Sequence, residues 1–128
     1  YLPFTLRIFP DIKNAARLSE AQQKAQEGQA LLKAMQPNDQ CVLLDEKGAE
    51  HTSVGFSAYL SRQLQQPAKR LLFLIGGPYG FSDAVYARAS DRVSVSRMTF
   101  SHQMVRVIFL EQLYRAMTIL RGESYHHE

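Results

Sequence analysis

The hydrophobic pattern is densest at Leu71 to Ile75, an unbroken apolar run with no polar alternation. Such a run predicts a strand buried on both faces, as in the middle of a parallel sheet. It breaks into Gly76-Gly77-Pro78-Tyr79-Gly80. Glycines at this density let the backbone turn sharply and let a ligand approach main-chain N–H groups closely. Ser82 then predicts the N-cap of a helix through Ala84, Val85, Ala87 and Ala89. Strand, glycine turn and capped helix together mark a candidate binding site at the carboxyl end of a sheet. A tight turn with no ligand is the competing reading.

The rest of the chain repeats the same grammar. Phe4 to Phe9 alternates apolar and polar residues between Pro3 and Pro10 and predicts a strand. Residues 11–18 read as a loop. Ser19-Glu20-Ala21-Gln22 matches a capping box, with Leu18 placed for the outer half of a hydrophobic staple. Ala21, Ala25, Gly28, Leu32 and Met35 continue as one apolar helical stripe, which Pro37-Asn38-Asp39 ends. Gly28 costs that helix about 1 kcal/mol relative to alanine; it either permits a close backbone approach or is simply tolerated. Cys41 to Asp45 predicts another interior strand, with a polar turn at Glu46-Lys47-Gly48. Thr52 or Ser53 caps a helix carrying Phe56, Leu60 and Leu64, which Pro67 closes. Val93 to Ser96 alternates and predicts a last strand, leading into Arg97 to His102.

Gln103 to Leu120 is the longest helical stretch, and its apolar residues spread over much more than one stripe. A helix of this kind is buried on two sides, one against its own sheet and one against a second surface, expected to be a partner subunit. Glu111 and Arg115 stand at i, i+4 in the favourable order. Gly122 can end the helix. Strands alternating with helices imply an α/β fold with a largely parallel sheet covered on both faces.

At 128 residues the chain suits a single domain over residues 1–128. A formal charge of +3 permits an anionic partner such as nucleic acid without demanding one. Cys41, the only cysteine, excludes an internal disulfide and reads as a small core residue. No apolar run approaches a membrane span, and no export signal opens the chain, so a cytoplasmic location fits. The chain does not begin with Met, and an N-terminal piece preceding it is expected.

Loops after Asp45, Ile75 and Ser96 emerge at one edge of a parallel sheet. A ligand seated there would meet Leu44, the Gly76–Gly80 backbone and the Ser96–His102 segment together. The glycines form neither a G-x-G-x-x-G fingerprint nor a phosphate-binding P-loop sequence. No His/Cys spacing suggests a metal, and no nucleophile elbow is present. His102 precedes a helix at the predicted edge, as a functional or a structural histidine. His126-His127 reads as a tag remnant, a surface feature or a functional tail.

Taken together, Leu74 to Gly80, Met98 to His102, Val105-Arg106, Glu111 to Ala116 and Tyr125-His126 closely resemble the RlmH family. These are bacterial SPOUT-superfamily methyltransferases of 23S ribosomal RNA. The resemblance runs in order from about Pro3 to Glu128 and favours a Bacteroides-type form, which makes the His pair native. It implies a SPOUT fold with a C-terminal trefoil knot, an exception to the rule against knots. It also implies a homodimer, S-adenosyl-L-methionine as donor, no metal and no membrane, and N3-methylated pseudouridine on the ribosome as product. Cofactor positions carried over fall on Leu44, Gly77 and Ser96-Arg97-Met98-Thr99-Phe100-Ser101. Gly76, Pro78 and Gly80 join them through the turn. Leu44, Met98 and Phe100 would enclose adenine. His102 and His126 are candidates for proton acceptor or substrate positioner. Arg106 and Arg115 would stabilise the developing anion or bind phosphate, and Tyr125 would stack on a base. Family members begin with a strand and helix absent here, and Ser124 and His127 replace a usual proline and a usual basic residue. A non-catalytic nucleotide-binding module and an inactive ribosome-associated dimer remain the alternatives.

Overall fold

Cys41 to Leu44 are nearly or wholly removed from solvent, and they form the middle of the molecule. They belong to β1 (Asp39–Glu50), the central strand of a three-stranded parallel sheet in a computed structural model that describes residues 3–10, 12–68 and 70–127. On one side lies β2 (Arg70–Ile75), in register from Asp39 opposite Arg70 to Leu44 opposite Ile75. On the other lies β3 (Asp91–Ser94), where Val93 faces both Leu44 and Ala49 across a shift in register. β1 therefore runs beyond the predicted polar turn, with residues 45–48 looping out between its two pairings.

Successive residues of β1 face opposite ways. Val42 and Leu44 pack with Phe56 and Leu60 of α2 (Ser53–Leu64) and Phe109, Leu113 and Ala116 of α4 (His102–Leu120). Leu43 faces Leu31 and Leu32 of α1 (Glu20–Ala34), together with Val85 of α3 (Asp83–Arg88) and Phe81 before it. Helices thus cover both faces, as the alternation of elements implies.

Caps account for the helix starts. Ser19 and Gln22 form the predicted capping box of α1, Thr52 caps α2, Ser82 caps α3 and Ser101 caps α4. At the amino end of the sheet, Asp39 accepts bonds from Arg70 Nε (2.9 Å) and Nη2 (2.6 Å) and from the Gln36 N–H (2.7 Å). This contact ties the first residues of β1 and β2 together. The Arg70 bonds hold the Asp39 carboxyl below its usual range.

Four expectations shift. The run Leu71–Ile75 is only partly buried, because β2 has a single neighbour among the described residues; β1 is the centre instead. An unbroken apolar run reports helices on both faces and says nothing about lateral partners. β3 spans 91–94, two residues before the predicted 93–96. A 3-10 turn at Ala15–Arg17 occupies part of the predicted loop. Residues 4–9 form no strand; Phe4, Leu6 and Ile8 are more than half or about half exposed. Leu6–Pro10 instead line a groove of about 340 Å³ together with Phe73–Ile75 of β2.

On α4, the face not packed on the sheet leaves Met104, Val107 and Tyr114 exposed. Glu128, the last residue of the sequence resemblance, and Asp11, the first of the predicted loop, lie outside the described residues.

Candidate active site

Parallel strands bring their following loops to one edge, and a cleft of about 540 Å³ opens there. Its walls come from three places: Leu44 to Glu46 after the inner part of β1, Ile75 to Phe81 after β2, and Val95 to His102 between β3 and α4. These are the loops that strand order alone picked out. Gly80 adopts φ +80, a left-handed conformation that glycine enters at no steric cost. Its N–H donates to the Gly77 carbonyl (3.1 Å), closing the turn on itself.

Leu44, Gly76, Gly77, Pro78, Gly80, Ser96, Met98, Thr99, Phe100, Ser101 and His102 all line this cleft. Met98 is 74% exposed and Phe100 39%, so the loop offers apolar surface to a planar ligand. Ser96 Oγ accepts from the Met98 N–H (2.9 Å), and Ser101 Oγ accepts from the Met104 N–H (3.2 Å), tying the segment to the start of α4. Arg97 is the exception in its segment. Its side chain is 87% exposed, pairs with Glu50 and does not line the cleft.

Sequence reasoning missed Asp45, Glu46 and Tyr86 as lining residues. Tyr86 donates its hydroxyl to Asp45 Oδ2 (2.6 Å), and the Arg92 guanidinium lies 4.7 Å from its ring centre. Burial, then the Asp45 bond, pushes the Tyr86 hydroxyl up to about 12. The signal for Asp45 was its place at the end of an interior strand; Tyr86 gave none, because only folding brings α3 beside that loop. No lysine or arginine stands among the described residues lining the cleft, while Asp45 and Glu46 do.

The expected catalytic residues fall into two groups. His102 touches the cleft, and with Arg106 it also lines the groove on the far side of the glycine turn. Arg115, Tyr125 and His126 stand apart, roughly 20 Å further along α4 by helical rise. There Glu111 Oε1 accepts from Arg115 Nη2 (2.6 Å) and from the Tyr125 hydroxyl (3.2 Å). Those bonds, Arg115 first, hold the Glu111 carboxyl below its usual range, while the Tyr125 hydroxyl is pushed up by the same carboxylate. Tyr125 also meets Tyr114 edge-on at 4.9 Å and lies 4.9 Å from the Arg115 guanidinium. Arg115 Nη1 stands 3.0 Å from His126 Nδ1. Guanidinium can only donate, so Nδ1 is the acceptor and the ring proton sits on Nε2.

The family described as "Predicted SPOUT methyltransferase" matches residues 1–126. The chain belongs to the SPOUT methyltransferase family. Relatives agree with that placement. A protein of Parabacteroides distasonis named ribosomal RNA large subunit methyltransferase H is 62% identical over 128 residues, covering 100% of this chain and 82% of its own length. Proteins of the same name from Flavobacterium johnsoniae and Bacteroides thetaiotaomicron are 55% and 54% identical over the same shares.

For this SPOUT methyltransferase the cleft makes chemical sense. Apolar Leu44, Met98 and Phe100 suit a flat heterocycle, and the glycine turn presents main-chain polar groups. The carboxylates suit a positively charged ligand and oppose a polyphosphate. Among the described residues no cluster of His, Cys, Asp and Glu has the makings of a metal site, and no helix is long and apolar enough to cross a membrane.

Proposed function

We propose that this SPOUT methyltransferase transfers a methyl group from S-adenosyl-L-methionine to N3 of a pseudouridine in 23S ribosomal RNA. The observation that carries the donor is the cleft where three loops converge, with Asp45 and Glu46 and no lysine or arginine on its described walls. S-adenosyl-L-methionine carries a sulfonium charge that this field favours. ATP and NAD carry phosphates that it repels, which weighs against the nucleotide-binding alternative. The relatives' shared name supports large-subunit rRNA as the substrate class.

The bound donor would supply an electrophilic methyl group. The protein's work is to place it in line with the ring nitrogen and to favour that nitrogen's deprotonated form. Leu44, Met98 and Phe100 would hold the adenine, and the Gly76–Gly80 backbone the polar edges. His102, on the cleft wall, is the proton acceptor in this scheme. His126, held at Nδ1 by Arg115, would position the substrate base in this scheme. Arg106 beside the cleft would meet RNA phosphate.

Arg115, Tyr125 and His126 are too far along α4 to serve the cleft of their own chain. They would reach the cleft of a second copy in a homodimer docked through the uncovered face of α4. The C-terminal segment would be threaded as a trefoil knot. The substrate would be the assembled cytoplasmic ribosome, because a small, mildly basic protein needs a composite surface to select one nucleotide.

Two measurements test this. Calorimetry should show S-adenosyl-L-methionine binding and no ATP or NAD binding; the reverse preference refutes the donor. Labelled methyl transfer to ribosomes lacking the modification should appear at one large-subunit pseudouridine. A His126→Ala protein that binds donor normally yet methylates at the wild-type rate removes the tail from the scheme.

A further inference from the structure

We infer that Glu27 of α1 is a positioning residue for the donor site, clamping the glycine turn from outside the cleft, and that Gly28 exists to let it reach. The inference rests on the donor-site reading above. Glu27 does not line the donor cleft; it lines the groove behind it, together with Gly76, Gly77 and Pro78. The turn is thus a thin wall, with the donor cleft on one side and the α1 carboxylate on the other. A Cβ built on Gly77 would collide with Glu27 Oε2 and come within 2.8 Å of Oε1 and 2.9 Å of Cδ. The carboxylate therefore lies directly on the Gly77 backbone, and a side chain at position 77 would have to push the end of Glu27 off the turn.

Gly28 supplies the approach. It is the one buried residue of α1, and a Cβ there would strike Ser82 Oγ, 3.0 Å from Ser82 Cβ and 3.4 Å from Val85 Cγ2. With glycine, α1 closes onto the start of α3, and the preceding residue reaches the turn that leads into α3. The two residues act together: Gly28 sets the distance and Glu27 makes the contact. A carboxylate there limits where the Gly77–Gly80 backbone can move, and so where the polar groups facing the donor point. It also sets a fixed negative charge behind a wall that faces a cationic ligand.

Amide hydrogen exchange on the intact protein, combined with donor calorimetry, tests this. Glu27→Ala and Glu27→Gln should speed exchange at Gly77, Tyr79 and Gly80 about tenfold, with β1 amides and the urea midpoint unchanged. The same variants should weaken S-adenosyl-L-methionine about tenfold. Gly77→Ala should weaken it similarly, and the Glu27→Ala/Gly77→Ala double variant no further, because both lesions break one contact. Unchanged exchange at the turn in both Glu27 variants overturns the clamp, whether or not the wild type binds donor. Additive losses in the double variant overturn it too. Faster exchange at the turn in both Glu27 variants, with a wild type that fails to bind S-adenosyl-L-methionine, leaves the clamp standing and removes the donor reading.

Discussion

Replacing Gly28 with alanine measures how closely α1 approaches α3. In an exposed helix the change stabilises by about 1 kcal/mol. Here the new methyl would land on Ser82 Oγ, 3.0 Å from Ser82 Cβ and 3.4 Å from Val85 Cγ2. Overpacking of that kind costs about 1–3 kcal/mol. Displacing Ser82 also loosens its cap bond from the Val85 N–H, 3.4 Å long, whose loss costs about 1 kcal/mol. The costs exceed the propensity gain, and the expected net loss is about 2 kcal/mol. Ser82→Gly removes the colliding atoms, and glycine at an N-cap costs only about a few tenths of a kcal/mol. On that background Gly28→Ala should be neutral or stabilising, which gives a coupling of about 2–3 kcal/mol. Urea unfolding of the four proteins reads this as midpoint shifts at constant slope. Losses that add to within about 0.5 kcal/mol would refute the close approach.

Four further outcomes follow from the geometry. Asp39→Ala should cost about 2 kcal/mol, the value of charged hydrogen bonds discounted because Arg70 is partly exposed. Because the folded Asp39 carboxyl is depressed, its stabilisation is complete above the unfolded value of about 3.9 and disappears as pH falls through the folded one, so Asp39→Asn should flatten acid unfolding below pH about 4. Asp45→Asn or Glu46→Gln should weaken S-adenosyl-L-methionine up to about fivefold and uncharged S-adenosylhomocysteine less; equal losses refute the field argument. Nitrogen-15 NMR should find the His126 proton on Nε2 in the wild type and a tautomer mixture in Arg115→Leu; a mixture in both refutes the Arg115 contact.

Much of the site was legible because strand order is a one-dimensional property. An apolar run that ends in a turn marks a carboxyl edge, so Leu44, the glycine turn and Ser96–Ser101 could be grouped without coordinates. What stayed hidden depends on crossings. Tyr86 meets Asp45, and Glu27 meets Gly77, only because helices from other parts of the chain lie against those loops. Arg97 shares its neighbours' segment but not their direction, since an ion pair with Glu50 turns it outward. Leu71–Ile75 looked more central than it is, because burial by helices and pairing by strands leave the same apolar mark.

The order of the strands also governs how the chain can fold as it is made. β1 is synthesised before both of its neighbours, yet its wholly buried residues Cys41, Val42 and Leu43 have no lateral partner until Arg70 and then Asp91 have emerged. Parallel pairing allows no hairpin shortcut, so closure of each loop comes before any ladder bond rewards it. The nascent chain therefore passes through an interval with its stickiest segment uncovered. Slow codons placed between β1 and β3 should raise aggregation, whereas the same codons after α4 should not.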